Sequence, residues 1–195
     1  MKRLPIIPTT VVAAAVAVMI GLGIWQLQRV GEKQALLARF HQAVKLPPIA
    51  WPNSAARGED FYFRKAKGFC LQPTSWRPTA GRNAKGESGW SFIASCRTGA
   101  EGPGMQVDMG WSKESKPPTG WSGGEVSGVI VPDEEHQIRL VSANPAPGLQ
   151  PSAPPSPDTI PNNHLLYAIQ WFFFAAAAAL IYYLVLRRRR KQEGP

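Results

Sequence analysis

Residues 165–186 read LLYAIQWFFFAAAAALIYYLVL and contain no charged side chain. A second uncharged run, TTVVAAAVAVMIGLGIWQL, occupies residues 9–27. Each run has about 20 residues, which at a helical rise of 1.5 Å per residue span a hydrocarbon core of roughly 30 Å. A buried helix of a soluble protein is rarely apolar on every face over that length. The two runs therefore predict two transmembrane helices.

The first run also has features of a secretory signal, because Lys2 and Arg3 precede it. Small residues that could mark a cleavage site occur at Ala15 and Ala17, but the apolar run continues to Trp25. Cleavage there would remove half of a membrane span. We therefore favour an uncleaved signal anchor over a cleaved signal peptide.

The basic residues at the two ends of the chain predict its orientation. Lys2 and Arg3 precede the first run, and residues 187–191 (RRRRK) follow the second. Short basic flanks stay on the cytoplasmic side of a membrane, whereas a long intervening domain is translocated. Both termini are expected in the cytoplasm and the middle of the chain outside it.

The excess of positive charge does not predict a nucleic-acid partner. The formal net charge of +9 falls to +3 without the seven terminal basic residues and Glu193, which leaves 15 basic against 12 acidic residues. The RRRRK run directly follows an apolar helix, so we interpret it as a stop-transfer anchor that favours anionic membrane lipid. Nothing in the middle of the chain has the charge pattern of a nucleic-acid interface.

The middle of the chain is predicted to be rich in β-strands. Short apolar runs at residues 60–71, 89–97, 105–112, 124–131 and 137–141 are separated by glycine and proline turn signals. The expected fold class is therefore an α+β membrane protein, in which two transmembrane helices flank a small antiparallel β-sheet or part-closed barrel domain.

The sequence divides into seven expected segments. An amphipathic juxtamembrane helix follows the first membrane helix, with Gly31 loosening the join and Pro47 and Pro48 ending the element. Seven prolines in residues 142–161 predict an extended, polyproline-like tether back to the membrane. The segments are a cytoplasmic N-terminus (1–8), transmembrane helix 1 (9–28), the juxtamembrane helix (29–46), the exported domain (47–142), the proline-rich tether (143–161), transmembrane helix 2 (164–186) and a basic cytoplasmic tail (187–195).

Cys70 and Cys96 are the two cysteines of the chain, and each lies near the end of a predicted strand. The two strands could pair as a long-looped hairpin, and disulfides persist in the oxidising compartment that the orientation predicts. We favour a structural disulfide. A thiol redox pair or a pair of metal ligands is the alternative, but no Cys-x-x-Cys spacing supports either.

His164 stands at the border between the tether and the second apolar run, where ionisable side chains are costly and often functional. Tyr167, Ala168, Trp171 and Ala175 follow it at i+3, i+4, i+7 and i+11, on one helix face. This face would suit a flat aromatic cofactor with His164 as an axial ligand of iron. Alternatively, the aromatic residues belong to an interfacial belt and His164 contacts lipid headgroups. Without Cys-x-x-Cys-His, any haem would be bound non-covalently.

Two motifs at the helix ends carry a family resemblance. Residues 162–172 (NNHLLYAIQWF) resemble the C-terminal signature of the Surfeit locus protein 1 family, and residues 22–29 (LGIWQLQR) are similar to its N-terminal signature. Residues 107–111 (VDMGW) stand where the family usually has Arg-Gly-Trp, with Met109 in place of the arginine.

This resemblance implies an assembly factor with two membrane helices that acts as a chaperone of the respiratory chain. The implied targets are haem–copper terminal oxidases, chiefly cytochrome c oxidase. Some family members bind haem a and are thought to help insert it. By resemblance, His164 is the candidate ligand of the haem iron, with Tyr167, Trp171 and Trp25 beside the cofactor. The implied partners are the catalytic oxidase subunit and the enzyme of haem a synthesis, and the implied location is a bacterial inner membrane with a periplasmic central domain.

The residues show no enzyme constellation, phosphate-binding loop or metal-ligand spacing, so no catalytic residue is predicted. Two other functions compete with haem handling. One is a scaffold that holds oxidase helices through the Gly21 and 175–179 surfaces without contacting haem. The other is an envelope sensor, for which the short tails offer no recognisable cytoplasmic module.

Overall fold

The computed structural model describes residues 5–52 and 58–192. The chain divides into two compact units, a helical unit (Met1–Leu36 with Pro161–Pro195) and a sheet unit (Leu37–Ile160). Lys2 and Arg3 of the predicted N-terminal flank, and residues 193–195 of the predicted tail, lie outside the described residues.

Two long helices supply the apolar runs. Helix α1 extends over Ile6–Lys45 and helix α2 over His164–Gln192. The predicted membrane helix and juxtamembrane helix thus form one continuous α1, which runs through Gly31 without a break. The helix ends where Pro47 and Pro48 remove backbone donors and disfavour helical geometry before them.

Both helices are long and apolar enough to cross a membrane. Their large apolar side chains point mostly outwards, where a soluble protein would meet water. Hydrocarbon solvates such a surface, and all backbone groups of a helix are paired within it. The helices are therefore consistent with a membrane protein. Examples of the exposed residues are Ile7, Val11, Val18 and Ile24 of α1 and Leu166, Phe173 and Ile181 of α2.

The sheet unit contains one seven-stranded sheet, with the strand order β1-β2-β6-β7-β5-β4-β3. The predicted α+β class with flanking helices is confirmed, but the sheet is mixed and not purely antiparallel. The pairs β1–β2 and β5–β7 are parallel, because the β6–β7 hairpin is inserted between β2 and β5. The strands are β1 (Ile49–Ala50), β2 (Lys65–Cys70), β3 (Gln72–Arg82), β4 (Ser88–Arg97), β5 (Met105–Ser112), β6 (Gly124–Asp133) and β7 (Gln137–Ser142).

One bent segment joins the two sides of this sheet. Strands β2 and β3 are separated only by Leu71, yet β2 pairs with β6 and β3 pairs with β4 on the far side. The sheet therefore curls until its two sides meet at Leu71. The sequence did not predict β3, because Pro73 and Pro78 argue against a strand. Both prolines are tolerated because β3 is the last strand in the order and forms backbone hydrogen bonds to a neighbouring strand along one edge only.

The disulfide lies where the two sides of the sheet meet. Cys70 and Cys96 are bonded, with their Cα atoms 5.2 Å apart. The predicted hairpin between their strands is wrong, since β2 pairs with β1 and β6 while β4 pairs with β3 and β5. The bend brings the cysteines together, because the N–H of Leu71 donates to the carbonyl of Arg97 at 2.9 Å.

Apolar side chains cover both faces of the curled sheet. The main core lies on one face and includes Met109, which is 3 % exposed. An arginine at this position would place a charge among apolar side chains, so the methionine fits its surroundings. On the opposite face the C-terminal part of α1 contributes Phe40, whose ring centroid lies 4.9 Å from that of Phe63. The core residues are Ala66, Ala94, Met105, Val107, Val126, Ile130, Ile138 and Leu140, among others.

The proline-rich segment is held against the sheet, contrary to the extended tether predicted. The N–H of Trp111 donates to the carbonyl of Gln150 at 2.7 Å, and the N–H of Gln150 donates back at 2.9 Å. Further along, the N–H of Ala153 donates to the carbonyl of Arg82 at 2.8 Å. The prolines lack donors, but the residues between them supply these N–H groups. A close approach at Gly110, with φ of 128°, makes room, since a Cβ there would lie 2.6 Å from the Gln150 carbonyl oxygen.

Replacing both Cys70 and Cys96 by serine is expected to lower the free energy of unfolding of the sheet unit by about 3–4 kcal/mol, because the bridge restricts the unfolded chain. Denaturant unfolding of the full chain in detergent, followed by far-ultraviolet circular dichroism and tryptophan fluorescence, measures the change. A reductant should destabilise the wild type and leave the double variant unchanged. Equal midpoints for the wild type and the variant would contradict a stabilising role.

Candidate functional site

The candidate site lies in the helical unit, where α1 and α2 run antiparallel. Near one end, the hydroxyls of Thr9 and Tyr182 are 2.5 Å apart. Near the other, His164 at the start of α2 meets Gln26. As residue numbers rise along α1, those of their partners fall along α2, which defines an antiparallel hairpin.

Partly buried positions recur along α1 every three to four residues, as expected for one helix face against a neighbour. Gly23 is the tightest of them, because a Cβ there would lie 2.7 Å from the ring of Phe172. A glycine thus lets α1 approach the aromatic ring of α2 closely. Residues that are buried or partly buried along this face include Thr9, Val12, Val16, Met19, Gly23, Gln26 and Val30 on α1, and His164, Ala168, Trp171, Phe172, Ala175, Ala178 and Tyr182 on α2.

The central polar contact joins His164 to Gln26. The imidazole Nδ1 lies 2.8 Å from the amide oxygen Oε1 of Gln26. Because an amide oxygen only accepts hydrogen bonds, Nδ1 carries the proton and donates in this arrangement. The other ring nitrogen, Nε2, then has a free lone pair. This is how a second hydrogen bond commonly prepares a histidine for a metal, by fixing the tautomer and the ring orientation.

The Nε2 atom of His164 makes no hydrogen bond within residues 5–52 and 58–192, and it is not among their buried polar atoms that lack a partner. It therefore remains at least partly accessible. In contrast, Oδ1 of Asn162 is buried without a hydrogen-bond partner in the same ranges, so this oxygen does not cap α2. The first intrahelical bond at this end runs from the N–H of Tyr167 to the carbonyl of Asn163, at 3.2 Å.

The other predicted site residues do not all share the face of His164. Trp171 is partly buried and lies edge-on to Phe174, with ring centroids 6.3 Å apart. Tyr167 is 51 % exposed and Trp25 is 46 % exposed. The ring of Trp25 lies under the guanidinium of Arg29, 5.5 Å from its centroid, which is a cation–π contact. The structure thus brings His164 and Trp171 to the hairpin seam and leaves Tyr167 and Trp25 on the outer surface.

Sequence reasoning missed Gln26 as the partner of His164. The signal was available, since Gln26 is an amide inside an otherwise apolar run, and such side chains seek partners near hydrocarbon. The close approach at Gly23 was also missed, because Gly21 was predicted as the position of close helix contact instead. In the structure Gly21 faces open space.

A multi-ligand metal centre is not found in the described part of the chain, which holds no group of three or more His, Cys, Asp or Glu side chains able to bind a metal. His164 could therefore supply a single protein ligand. A single imidazole is sufficient for a haem, whose four ring nitrogens provide the other ligands. The residues present fit a haem-type ligand better than a bare metal ion.

Comparison with known proteins identifies the family. The SURF1 family model matches residues 13–176, which is most of the 195-residue chain. The chain belongs to the SURF1 family. This family of assembly factors is linked to cytochrome oxidase assembly. The matched region includes Gln26, His164 and the whole sheet unit. No curated protein matches the chain.

Replacing Gly23 by leucine is expected to destabilise the SURF1-family hairpin by about 1–3 kcal/mol, because the side chain would overlap the ring of Phe172. The matched control is Gly21→Leu on the same helix, where the new side chain meets open space and the change should stay within about 0.5 kcal/mol. Unfolding by dodecyl sulfate in mixed micelles measures both. Equal losses for the two variants would contradict the packing at Gly23.

Proposed function

We propose that this chain is a membrane-anchored assembly factor for cytochrome c oxidase that binds haem a through His164 and assists its insertion. Family membership supports the oxidase as the target. The observation that carries the haem site is the 2.8 Å contact between Nδ1 of His164 and the amide oxygen of Gln26. This contact leaves the lone pair of Nε2 available to an iron atom.

Haem a is the cargo in this proposal, and the chain's own residues hold it. Gln26 accepts the hydrogen bond from Nδ1, which in the neutral imidazole places the free lone pair on Nε2 and limits rotation of the ring. Trp171, half-buried beside His164 on α2, offers an aromatic edge to a flat ring system. A single protein ligand is weaker than a pair of axial ligands. Such weak attachment suits a carrier that must release its cargo to the catalytic oxidase subunit.

The proposed topology places both termini in the cytoplasm and the sheet unit outside it, in the periplasm of a bacterial inner membrane. The basic run RRRRK after the apolar part of α2 supports this orientation. The disulfide between Cys70 and Cys96 supports it independently, since disulfides persist in oxidising compartments. In this orientation His164 lies at the outer surface of the membrane, and residues 187–191 face anionic lipid on the inner side.

The proposed protein partners are the catalytic subunit of the oxidase and the enzyme of haem a synthesis, which would supply the cargo. The outer face of the hairpin offers a surface to such membrane proteins. Gly21 lies in open space on α1, and the side chains of Ala176 and Ala179 are exposed on α2. Small residues of this kind allow close approach of neighbouring helices.

The same outer face favours a second candidate function, a scaffold that stabilises oxidase subunits without binding haem. Tyr167 and Trp25 are about half exposed on it, beyond the seam that holds His164. In this reading they pack against a partner helix or lie in the interfacial belt. His164 and Gln26 then serve only as hydrogen-bond partners of each other.

The two readings predict different spectra for the detergent-purified full chain from a haem-a-producing host. If haem a is bound, the wild type should show a Soret band, and His164→Ala should lose it. Gln26→Leu should keep the ligand but bind haem about 10- to 100-fold more weakly, because the ring loses its orienting partner. Gln28→Leu, two residues along α1 on an exposed position, should match the wild type.

A colourless wild type that still restores oxidase activity in a deletion strain would reject the haem site and favour the scaffold. Equal Soret bands in the wild type and His164→Ala would also reject His164 as the ligand. A deletion strain that keeps full oxidase activity would count against both functions. His136→Ala is the matched histidine control, since it changes a residue of the sheet unit.

A further inference from the structure

His164 stands at the same end of the apolar hairpin as Arg29, the first charged residue after the uncharged run of α1. That run ends at Leu27, and the uncharged run of α2 begins directly after His164. The hairpin brings these two ends together, because Gln26 holds Nδ1 of His164. Gln26 and Arg29 are three residues apart, so they are neighbours on the surface of α1 and differ by about 4.5 Å in height along its axis. A positive charge therefore lies within one helical turn of the residue that orients the imidazole.

The guanidinium of Arg29 is held by two contacts on its own helix. Its Cζ lies 5.5 Å from the ring centroid of Trp25, one turn earlier on α1. Its Nη1 donates to Oε2 of Glu32 at 2.5 Å. Such contacts limit the rotamers of a long side chain, so a further partner of Arg29 binds at a lower cost in conformational entropy.

Arg29 keeps donors for such a partner. A guanidinium carries five N–H groups, and the bond to Glu32 uses only Nη1. Nε and Nη2 make no hydrogen bond within residues 5–52 and 58–192. The side chain is 49 % exposed, so a ligand can reach it from outside the hairpin.

The charge at this end of the helical unit is positive. Residues 21–36 and 161–175 contain Arg29 and Lys33 against Glu32, which leaves two positive charges against one negative charge. The ion pair between Arg29 and Glu32 is exposed on both sides, and pairs of this kind contribute little in water. An incoming anion can therefore compete with Glu32 for the guanidinium.

A haem ligated by His164 would bring carboxylates to this end of the hairpin. Haem a carries two propionate groups, which are ionised at neutral pH. A carboxylate in hydrocarbon without a partner is strongly disfavoured, so the propionates must meet water or a cation. A guanidinium suits them, because its parallel N–H donors match the two oxygens of a carboxylate.

We propose that Arg29 binds a propionate carboxylate of the haem carried by His164, and that Trp25 is a positioning residue that orients the guanidinium. This inference rests on the proposed haem-binding function and adds a second point of attachment for the same cargo. Trp25 and Arg29 thus serve the site although neither lies at the helix seam.

A chemical change in the haem isolates this contact. The full chain, purified in neutral detergent from a host that makes no haem a, is titrated with haem a and with its dimethyl ester, whose propionates carry no charge. Soret absorbance gives the dissociation constant of each. Arg29→Gln should weaken binding of the free acid about five- to tenfold, between the effects of an exposed ion pair and a buried charge-assisted hydrogen bond. It should leave binding of the ester unchanged.

Further variants separate the Arg29 contact from net charge. Lys33→Gln removes the same charge one turn further along α1 and is the matched control, which should stay within about twofold of the wild type because salt screens the more distant charge. Arg29→Lys should show an intermediate loss, since lysine keeps the charge but lacks the planar fork. Glu32→Gln removes the competing carboxylate and should strengthen binding of the free acid. Trp25→Leu should weaken binding of the free acid and spare the ester.

Three results would overturn the proposal. If Arg29→Gln weakens the acid and the ester equally, Arg29 stabilises the hairpin and does not bind a carboxylate. Equal losses in Arg29→Gln and Lys33→Gln would indicate attraction by net charge alone. An unchanged affinity of Arg29→Gln for both haems would leave Arg29 as an interfacial residue that contacts Glu32 or lipid headgroups.

The positioning role of Trp25 has its own test in the same titrations. Weaker binding of the ester by Trp25→Leu would make Trp25 a direct contact of the haem ring and reject that role. A wild type that binds neither haem would reject the proposed function together with this inference. A wild type that binds both haems, with Arg29 variants of equal affinity, would reject this inference alone.

Discussion

A polar side chain beside hydrocarbon must find a hydrogen-bond partner within the protein, and His164 and Gln26 meet this need for each other. The apolar runs of the two helices offer few other side chains that could form this hydrogen bond. Over their uncharged runs both helices are apolar on nearly every face, so lipid can solvate most of that surface and only their few polar side chains need partners within the protein. Thr9 and Tyr182 form a similar contact toward the opposite end. Together the contacts fix an antiparallel hairpin in which Gln26 holds Nδ1 of His164.

The sheet unit depends on a different constraint, the burial of Asp133. Its side chain is 0 % exposed, and Arg77 from β3 and Arg139 from β7 both contact it. Burial alone would raise the pKa of this carboxyl, but the hydrogen bonds and charge of Arg77 hold the pKa below its usual range. Strands β3 and β7 are not neighbours in the sheet. Asp133 therefore ties together parts of the curled sheet that backbone pairing leaves apart, as the disulfide does at Leu71.

The predictable parts of this chain are those that local composition determines. The uncharged runs predicted the two helices, and short apolar runs separated by glycine and proline predicted most strands. Strand β3 was missed because Pro73 and Pro78 are compatible only with an edge, and edge position is a property of the whole sheet. The parallel pairing of β5 with β7 was missed for the same reason. Strand order follows from non-local packing that no short window of sequence contains.

Of the two residues that form the central contact of the candidate site, only His164 was predictable from the sequence. His164 stands out because an ionisable residue at a membrane border is unusual, and its position in the sequence was enough to select it. Gln26 is a weaker signal, because an uncharged amide inside an apolar run does not by itself identify its partner. Its role depends on the register between two helices separated by more than a hundred residues of sheet unit. Packing between the helices supports the same register, chiefly through the close approach of Gly23 to Phe172.

This dependence also explains why the outer aromatic residues are poor guides to the site. On a helix, positions three and four residues apart share a face only approximately. The residues of α2 that lie at the seam include His164, Ala168 and Ala175. Tyr167 is displaced from that seam by one position, which turns its ring away from α1. The two predicted site residues that remain at the seam are His164 and Trp171, both partly buried. The register of the two helices, and not helical spacing alone, therefore decides which of the predicted residues could hold the proposed cargo.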